Sequence, residues 1–312
     1  MVLGKADSHL ALDNMTIFNL LLQLSLICLL FTGCGDPSTS TYNTKDEYEA
    51  LVDNLDLSVP GGAITNESQR LAFSNRFHMK VRATTKVREM GTNIFPRMIQ
   101  EIEDVGRIEA TNREAAALKT IRIANVFEAL GTNGRPLLPL LIENFQNGRS
   151  LGASAAGIRY IQDREGAFAV ISALTNKDLA TRILALQTVS SFASDPHISS
   201  AAAPHLLINL GDESEYVRAL TASVLGRLVV DHTPIVPALL KMAIHDNDQV
   251  VRRAAIKSLG DIGKVANSAI GDLSNIAEND RDPRTKRTAS RSLALIREEV
   301  KPDSTQDKTD LE

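Results

Sequence analysis

The sequence is poor in aromatic residues and contains no tryptophan. Only 4% of its 312 residues are Phe, Trp or Tyr, while Ala, Leu and Ile are frequent. Single-stranded nucleic acids are usually bound by stacking bases on exposed aromatic rings, so this composition argues against a nucleic-acid partner. It suits helices that pack closely through small side chains better than a core built on large rings.

Cysteine is also scarce, and both residues, Cys28 and Cys34, lie near the start of the chain. The rest of the sequence therefore has no disulfide framework. The six histidines are scattered, and no two stand three or four residues apart as helical metal ligands do. A phosphate-binding glycine loop and a Gly-x-Ser-x-Gly nucleophile turn are both missing. These absences predict no metal, no cofactor and no enzyme activity.

One long hydrophobic run is present, from Met15 to Thr32, and it closes on small residues. An apolar segment of this kind is typical of a secretory signal peptide. Its end, Leu30-Phe-Thr-Gly-Cys34, resembles the lipobox of bacterial lipoproteins. In that family the signal peptide is cut before the cysteine, which then receives acyl chains. The resemblance implies that residues 1–33 are a signal peptide and that Cys34 is lipidated.

We therefore expect an exported, membrane-anchored protein, a periplasmic or cell-envelope lipoprotein. Two features depart from the family pattern: Phe31 replaces the usual Leu, and Lys5 is distant from the apolar run. An uncleaved transmembrane helix stays open as an alternative, since the run approaches the roughly 20 residues needed to span a bilayer. A buried helix is a second alternative, and either Met1 or Met15 can be the start.

A polar turn recurs through the second half of the chain, each time followed by a helical stripe. The turn begins with Asp or Asn and ends six residues later with Arg or Lys. Its copies, at intervals of 36, 34 and 34 residues, are Asn176–Arg182, Asp212–Arg218, Asp246–Arg252 and Asp280–Lys286. Small or apolar residues then follow at steps of 4, 4 and 3, which places them on one face of a helix. The stripes are Thr181, Ala185, Val189, Phe192; Val217, Thr221, Leu225, Leu228; Val251, Ala255, Leu259, Ile262; and Thr285, Ala289, Leu293, Ile296.

A period near 34 residues indicates one helical hairpin per repeat, and such hairpins stack into a solenoid. The turn, with Val or Thr before the basic residue and Leu-Gly further on, resembles the HEAT family, in particular the short HEAT-like repeats of phycobilin lyases. The resemblance implies an all-α solenoid over 67–297, most regular over 176–297. A tetratricopeptide array shares the period, but its motif residues cannot be placed here.

The earlier repeats are less regular. The sequence Gly-Thr-Asn at Gly91 recurs at Gly131, but Arg82 and Arg122 stand where the stripe calls for an apolar side chain. Three glycines within 148–157 predict an irregular repeat in which helices approach closely.

Charge is segregated along the chain. The segments 1–34, 35–66 and 298–312 carry net charges of −1, −5 and −4, so that the overall charge of −4 leaves +6 for residues 67–297. The two acidic segments offer little apolar surface to offset the entropy of ordering. We therefore predict an acidic flexible linker at 34–66 and an acidic disordered tail at 298–312.

The recurring acidic and basic residues have two predicted roles. In HEAT arrays the acid caps a helix and the arginine bridges to a neighbouring turn, which implies a structural ladder of Asn176, Arg182, Asp212, Arg218, Asp246, Arg252 and Asp280. Lys286 lacks the bidentate fork of arginine, which fits a terminal repeat. Basic residues on the last two of these helices predict a partner-binding groove: Arg252, Arg253, Lys257, Arg284, Lys286, Arg287 and Arg291.

We predict a non-catalytic, membrane-anchored scaffold or protein-binding module, whose basic groove takes an acidic protein or anionic envelope component. The groove residues can instead be a solvated face balanced by Asp and Glu, or a site covered by the acidic tail. A divergent enzyme or lyase-like factor of the HEAT-like family is the alternative from another class, and it rests on fold analogy alone. In deoxyhypusine hydroxylase, a HEAT-like enzyme, His-Glu pairs bind iron; the closest match here is His245-Asp246.

Overall fold

The computed structural model describes the backbone of residues 45–55 and 67–298, with side chains at 48–55 and 74–297. The predicted signal peptide, the lipidation site Cys34, the linker segments 34–44 and 56–66, and the tail from 299 onward lie outside these residues. Within the described ranges, none of the helices combines the length and hydrophobicity that crossing a bilayer requires.

The described ranges are helical and contain no strand, so the predicted all-α class is confirmed. Short 3-10 segments at Gly91–Ile94, Gly131–Leu137, Ser172–Thr175 and Gly263–Ala269 join some of the helices. The α-helices are α1 (Lys45–Asp53), α2 (Glu67–Met90), α3 (Phe95–Ile108), α4 (Arg113–Leu130), α5 (Leu138–Gln146), α6 (Leu151–Ile161), α7 (Arg164–Ile171), α8 (Leu179–Ser190), α9 (Pro196–Asn209), α10 (Glu215–Leu225), α11 (Ile235–His245), α12 (Gln249–Ile262), α13 (Ile270–Asn279) and α14 (Pro283–Glu298).

From α2 onward the helices alternate between two layers. The even-numbered helices, α2 to α14, form the first layer, in which each packs against the next. Each odd-numbered helix from α3 to α13 lies in the second layer and packs against the even-numbered helix that follows it. A repeat is therefore one helical hairpin, and its apolar faces are buried only by stacking on its neighbours. This is the solenoid that the period predicts.

The stripe residues of the four regular repeats face the core between the two layers. Those of α10, for example, are all buried, with Val217, Thr221 and Leu225 fully inaccessible to solvent. The same holds on α8, α12 and α14, except that Ile262 is only partly buried against the core. Spacing of 4, 4 and 3 residues keeps each set on one side of its helix, which is the side that meets the neighbouring hairpins.

Part of the segment predicted to be a flexible linker is a packed helix. In α1, Tyr48 and Val52 are buried, as is Leu55 just beyond its end, and the helix contacts α2 and α4. These residues are spaced four and three apart, so that a short apolar stripe runs through an otherwise acidic sequence. The prediction of a flexible linker is wrong for 45–55, because this short apolar stripe packs against the repeats despite the acidic net charge of the segment.

The glycine-rich region is a place of close helix contact. A Cβ atom at Gly157 of α6 would lie 2.6 Å from Leu141 Cδ1 and 2.9 Å from Phe127 Cε2, in α5 and α4. Gly148, after α5, adopts φ of +68°, a left-handed conformation that favours glycine. The glycines thus let α6 approach its two neighbours more closely than a side chain would allow.

Candidate functional site

Each regular turn holds two polar residues in different roles. Asp246 accepts a hydrogen bond from the amide of Asp248 (2.9 Å), and Asp248 in turn accepts from the first amides of α12. Asp178 and Asp282 cap α8 and α14 in the same manner, whereas Ser214 makes no such bond. The sequence predicts the capping role for the first acid of the turn. The structure gives it to the position two residues later, because only there does the side chain reach the free amides of the helix start.

The first acid of each turn instead pairs with the arginine of the preceding repeat. Arg182 Nη2 donates to Asp212 Oδ1 at 3.0 Å, and its Nε lies 2.7 Å from Asp212 Oδ2. Arg218 donates to both oxygens of Asp246, at 2.8 and 3.0 Å. The third pair is looser, with Arg252 Nε 3.9 Å from an oxygen of Asp280. Asn176 starts the series, and its side-chain oxygen accepts from the amide of Asp178.

The ladder arginines also hold their own turns. The Nη1 atom of each donates to the main-chain oxygen of the residue six positions earlier, at 2.9 Å from Arg182, 2.9 Å from Arg218 and 3.0 Å from Arg252. One guanidinium group thus binds a carboxylate of the next repeat and a main-chain carbonyl of its own turn. The ladder residues are therefore engaged within the solenoid, a structural role.

The electrostatics of the turns follow from these bonds. Burial alone would raise the pKa of Asp246, but the hydrogen bonds from Arg218 and the amide of Asp248 outweigh it, so that the pKa is lowered. The hydrogen bond with Asp246 raises the pKa of Arg218. At Asp282 the Thr285 hydroxyl is the main cause of a pKa lowered to about 2. All three side chains therefore stay charged at neutral pH.

Most of the residues predicted to line a basic groove already have partners. Arg252 belongs to the ladder, and Arg253 Nη1 donates to Asp282 Oδ2 at 2.8 Å. Lys257 pairs with Asp261 on its own helix at 2.5 Å, and Lys286 Nζ donates to the main-chain oxygen of Glu278 at 2.7 Å. The predicted groove of seven bases must be corrected, because four of them are engaged in local or inter-repeat bonds.

The other three predicted bases remain exposed on the last described helix. Arg284, Arg287 and Arg291 stand at positions i, i+3 and i+7 of α14, so that they share one side of the helix. None of their guanidinium groups forms an ion pair with an acidic residue in the part of the chain that the structure describes. We call these three residues the basic end face.

A second charged cluster lies at the opposite end of the solenoid, and the sequence did not predict it. Arg97 of α3 donates to Glu49 of α1 at 3.0 Å and pairs with Glu101 at 2.9 Å. Arg122, which interrupts the expected stripe of α4, pairs with Glu49 and Asp53. Burial would raise the pKa of Glu49, but the attraction and hydrogen bonds of the two arginines lower it. The cluster pairs two arginines with three carboxylates, and it fixes α1 to the repeats.

Metal binding finds no support in the residues that the structure describes. No three His, Cys, Asp or Glu side chains among them lie close enough together to hold an ion.

Comparison with known protein families agrees with the fold. Residues 203–294 match the family model of HEAT repeats. No curated protein matches the chain. A solved structure of human deoxyhypusine hydroxylase in complex with glycerol is similar, at 16% identity over 81% of this chain and 96% of that chain, with a TM-score of 0.36.

This comparison corrects one prediction. The sequence predicts that the chain is not an enzyme, whereas the hydroxylase whose structure aligns with most of it is an enzyme. At this identity and TM-score, the likeness assigns neither that protein's reaction nor its ligand to this chain.

The family match at 203–294 lies within the two layers of stacked hairpins and includes three of the four repeated polar turns. Residues 203–294 are therefore HEAT repeats, which belong to an all-α solenoid and suggest a helical scaffold or protein-binding module.

Proposed function

We propose that the protein is a binding module that recognises an acidic protein segment through the basic end face on α14. The observation that carries this proposal is a difference between equivalent positions. Arg253 has an acidic partner in the next repeat, whereas Arg287, the equivalent residue 34 positions later, is exposed and has none among the described residues. Three arginines on one side of a helix provide charge and planar donors that suit carboxylates.

We further propose that the module is held at a membrane through lipidated Cys34. The lipobox resemblance supports this, since several acyl chains on one cysteine anchor a protein more firmly than a single chain does. Cell fractionation of the wild-type protein and a Cys34→Ser variant tests it. The wild type should sediment with membranes and incorporate a labelled fatty acid. Equal membrane association of both forms, without label, would refute lipid anchoring.

Binding of an acidic segment can be measured with a fluorescent ten-residue peptide of alternating Ser and Asp or Glu. The variant R284E/R287E/R291E reverses the end face and should weaken binding at least tenfold. The matched control is R113E/K177E/K241E, which makes the same charge change at exposed positions on other parts of the solenoid. Affinity of the wild type should fall as salt rises, because exposed charges are screened.

The result that refutes the proposal is an equal loss of affinity in both triple variants, which would mean a general charge effect and no defined surface. Competition by a polysaccharide polyanion as strong as that by the peptide would instead identify an anionic envelope polymer as the partner.

A further inference from the structure

Two adjacent arginines on a first-layer helix pair with the two acidic residues of the turn that precedes the next first-layer helix. On α12, Arg252 lies 3.9 Å from Asp280, and its neighbour Arg253 donates to Asp282 at 2.8 Å. The two acids are separated by one residue, so this turn presents an acid-x-acid sequence to a pair of bases. The contact also joins one repeat to the next.

One repeat later, two adjacent basic residues occupy the same positions, but no described turn supplies acids to them. Lys286 and Arg287 occupy on α14 the positions of Arg252 and Arg253 on α12, 34 residues earlier. Lys286 turns back to the main-chain oxygen of Glu278, and Arg287 is exposed. No repeat follows α14 within the described ranges, so its outer side presents bases without the acids that the stacking pattern supplies elsewhere.

The sequence beyond α14 contains acids in a matching pattern. The segment 298–312 carries a net charge of −4 and ends in Asp310-Leu311-Glu312, an acid-x-acid sequence. These two acids follow Lys286 and Arg287 by 24 and 25 residues, compared with 28 and 29 residues between the corresponding partners on α12 and the next turn.

The length of this segment allows it to reach the end face. The twelve residues from 298 to 310 span up to about 40 Å when extended. The 16 residues of α14 measure about 24 Å at the rise of an α-helix. The end of the chain can therefore fold back along the whole of α14 to the side that bears Arg284, Arg287 and Arg291.

We propose that residues 299–312 occupy the basic end face in cis, with Asp310 and Glu312 taking the place of the acids of a further repeat. The occupied face closes the open end of the solenoid, which in repeat proteins needs a polar cap. A short tether gives an effective concentration in the millimolar range. A contact with an intrinsic Kd of about 0.1 mM is then formed about ten times more often than it is open.

The regulatory consequence rests on the proposed function, whereas the contact itself does not. If an acidic partner binds the same face, the tail competes with it, and the apparent affinity is reduced by the fraction of open molecules. Deleting residues 299–312 should therefore raise the affinity for the acidic peptide about tenfold. The variant R284E/R287E/R291E should bind the peptide poorly whether or not the tail is present.

The contact is tested by a photo-crosslinking amino acid at position 311 of the full-length protein. Illumination followed by mass spectrometry of the monomer should give cross-links to peptides within 283–297. These should disappear in R284E/R287E/R291E and persist in R113E/K177E/K241E. Cross-links scattered over other repeats, or unchanged by reversal of the end face, would overturn the inference.

The peptide measurement separates this inference from the proposed function. Cross-links to α14 without peptide binding by either the full-length or the tail-deleted protein would sink the proposed function and leave the tail contact standing. Measurable peptide binding with equal affinity for both forms would show that the tail does not occupy the face, and would overturn the inference.

Discussion

At the scale of single residues, the same arginine serves two repeats at once. Arg182 is the most enclosed of the ladder arginines, and both it and its partner Asp212 expose only 8% of their side chains. Arg252 is more exposed, at 17%, and lies farther from its carboxylate. The spacing of the repeats predicts which residues form the ladder. It does not predict how tightly each pair closes, because that depends on the local approach of two turns.

Replacing Arg182 by Ala should therefore cost more stability than replacing Arg252 by Ala. Loss of one partner from a buried pair leaves an uncompensated charge, which typically costs about 3–5 kcal/mol. Exposed pairs contribute about 0–1 kcal/mol, and the Arg252 pair lies nearer that limit. Urea unfolding of both variants measures the difference, and R182A/D212A should recover part of the loss. Equal costs for the two arginines would contradict the burial argument.

At the scale of helices, a repeating apolar stripe can be predicted from the sequence, whereas the partner of a side chain that is distant in the sequence cannot. The inward faces of α8, α10, α12 and α14 follow from a local spacing that occurs four times. Arg122 breaks this pattern in α4, and its partner Glu49 lies 73 residues earlier in the sequence. No local pattern connects the two residues, so both the packing of α1 and the role of Arg122 appear only in the structure.

The Leu-Gly of two of the regular repeats has a packing role that sequence spacing alone does not explain. A Cβ atom at Gly226, after α10, would lie 2.8 Å from Ser258 Cα of α12. One repeat later, a Cβ atom at Gly260 would lie 2.8 Å from Ser292 Cα. Successive first-layer helices thus meet at a glycine of one repeat and a serine of the next. The Ser258 hydroxyl also donates to the main-chain oxygen of Ala222 at 2.8 Å.

Gly226→Ala should destabilise the protein, although alanine is the better helix former. The added methyl group meets backbone as well as side-chain atoms, so the helices must separate, at a cost of about 1–3 kcal/mol. Gly271→Ala is the matched control, since nothing lies within 4 Å of the added atom. It should stabilise the protein by about 0.5–1 kcal/mol. Thermal melting of both variants tests the contrast, and a stabilised G226A would refute the close approach.

At the scale of the whole molecule, composition predicts the distribution of charge but not its use. A basic solenoid between two acidic segments can be inferred from the sequence by counting. Whether a given basic residue is free to bind a partner cannot be inferred in this way, since Arg253 and Arg287 have equivalent places in the repeat. Their difference arises because the turn between α13 and α14 supplies Asp282 to Arg253, whereas no turn follows α14 in the part of the chain that the structure describes. Whether a basic residue has an acidic partner therefore depends on whether another turn packs against its helix.

The carboxylates of the polar turns make the folding stability of the whole solenoid depend on pH. The pKa values of Asp178, Asp246 and Asp282 are all lowered in the folded protein, that of Asp282 to about 2. In an unfolded chain these groups titrate near pH 3.9. Between the two values the unfolded chain binds more protons, so that folding stability decreases as the pH falls. At pH values well above 3.9 the stabilisation is fully present.

We therefore expect the urea midpoint of the full-length protein to be nearly constant from pH 7 to 5 and to fall steeply between pH 4 and 2. Asp282→Asn should flatten part of this fall, because the substitution removes a carboxyl group whose pKa the fold lowers to about 2. Asp272→Asn removes a charge from an exposed position of α13, outside the polar turns, and serves as the control for the loss of one carboxylate. Circular dichroism at a series of pH values gives the midpoints. A wild-type midpoint that stays constant or rises below pH 4 would show that the turn carboxylates do not hold the repeats together.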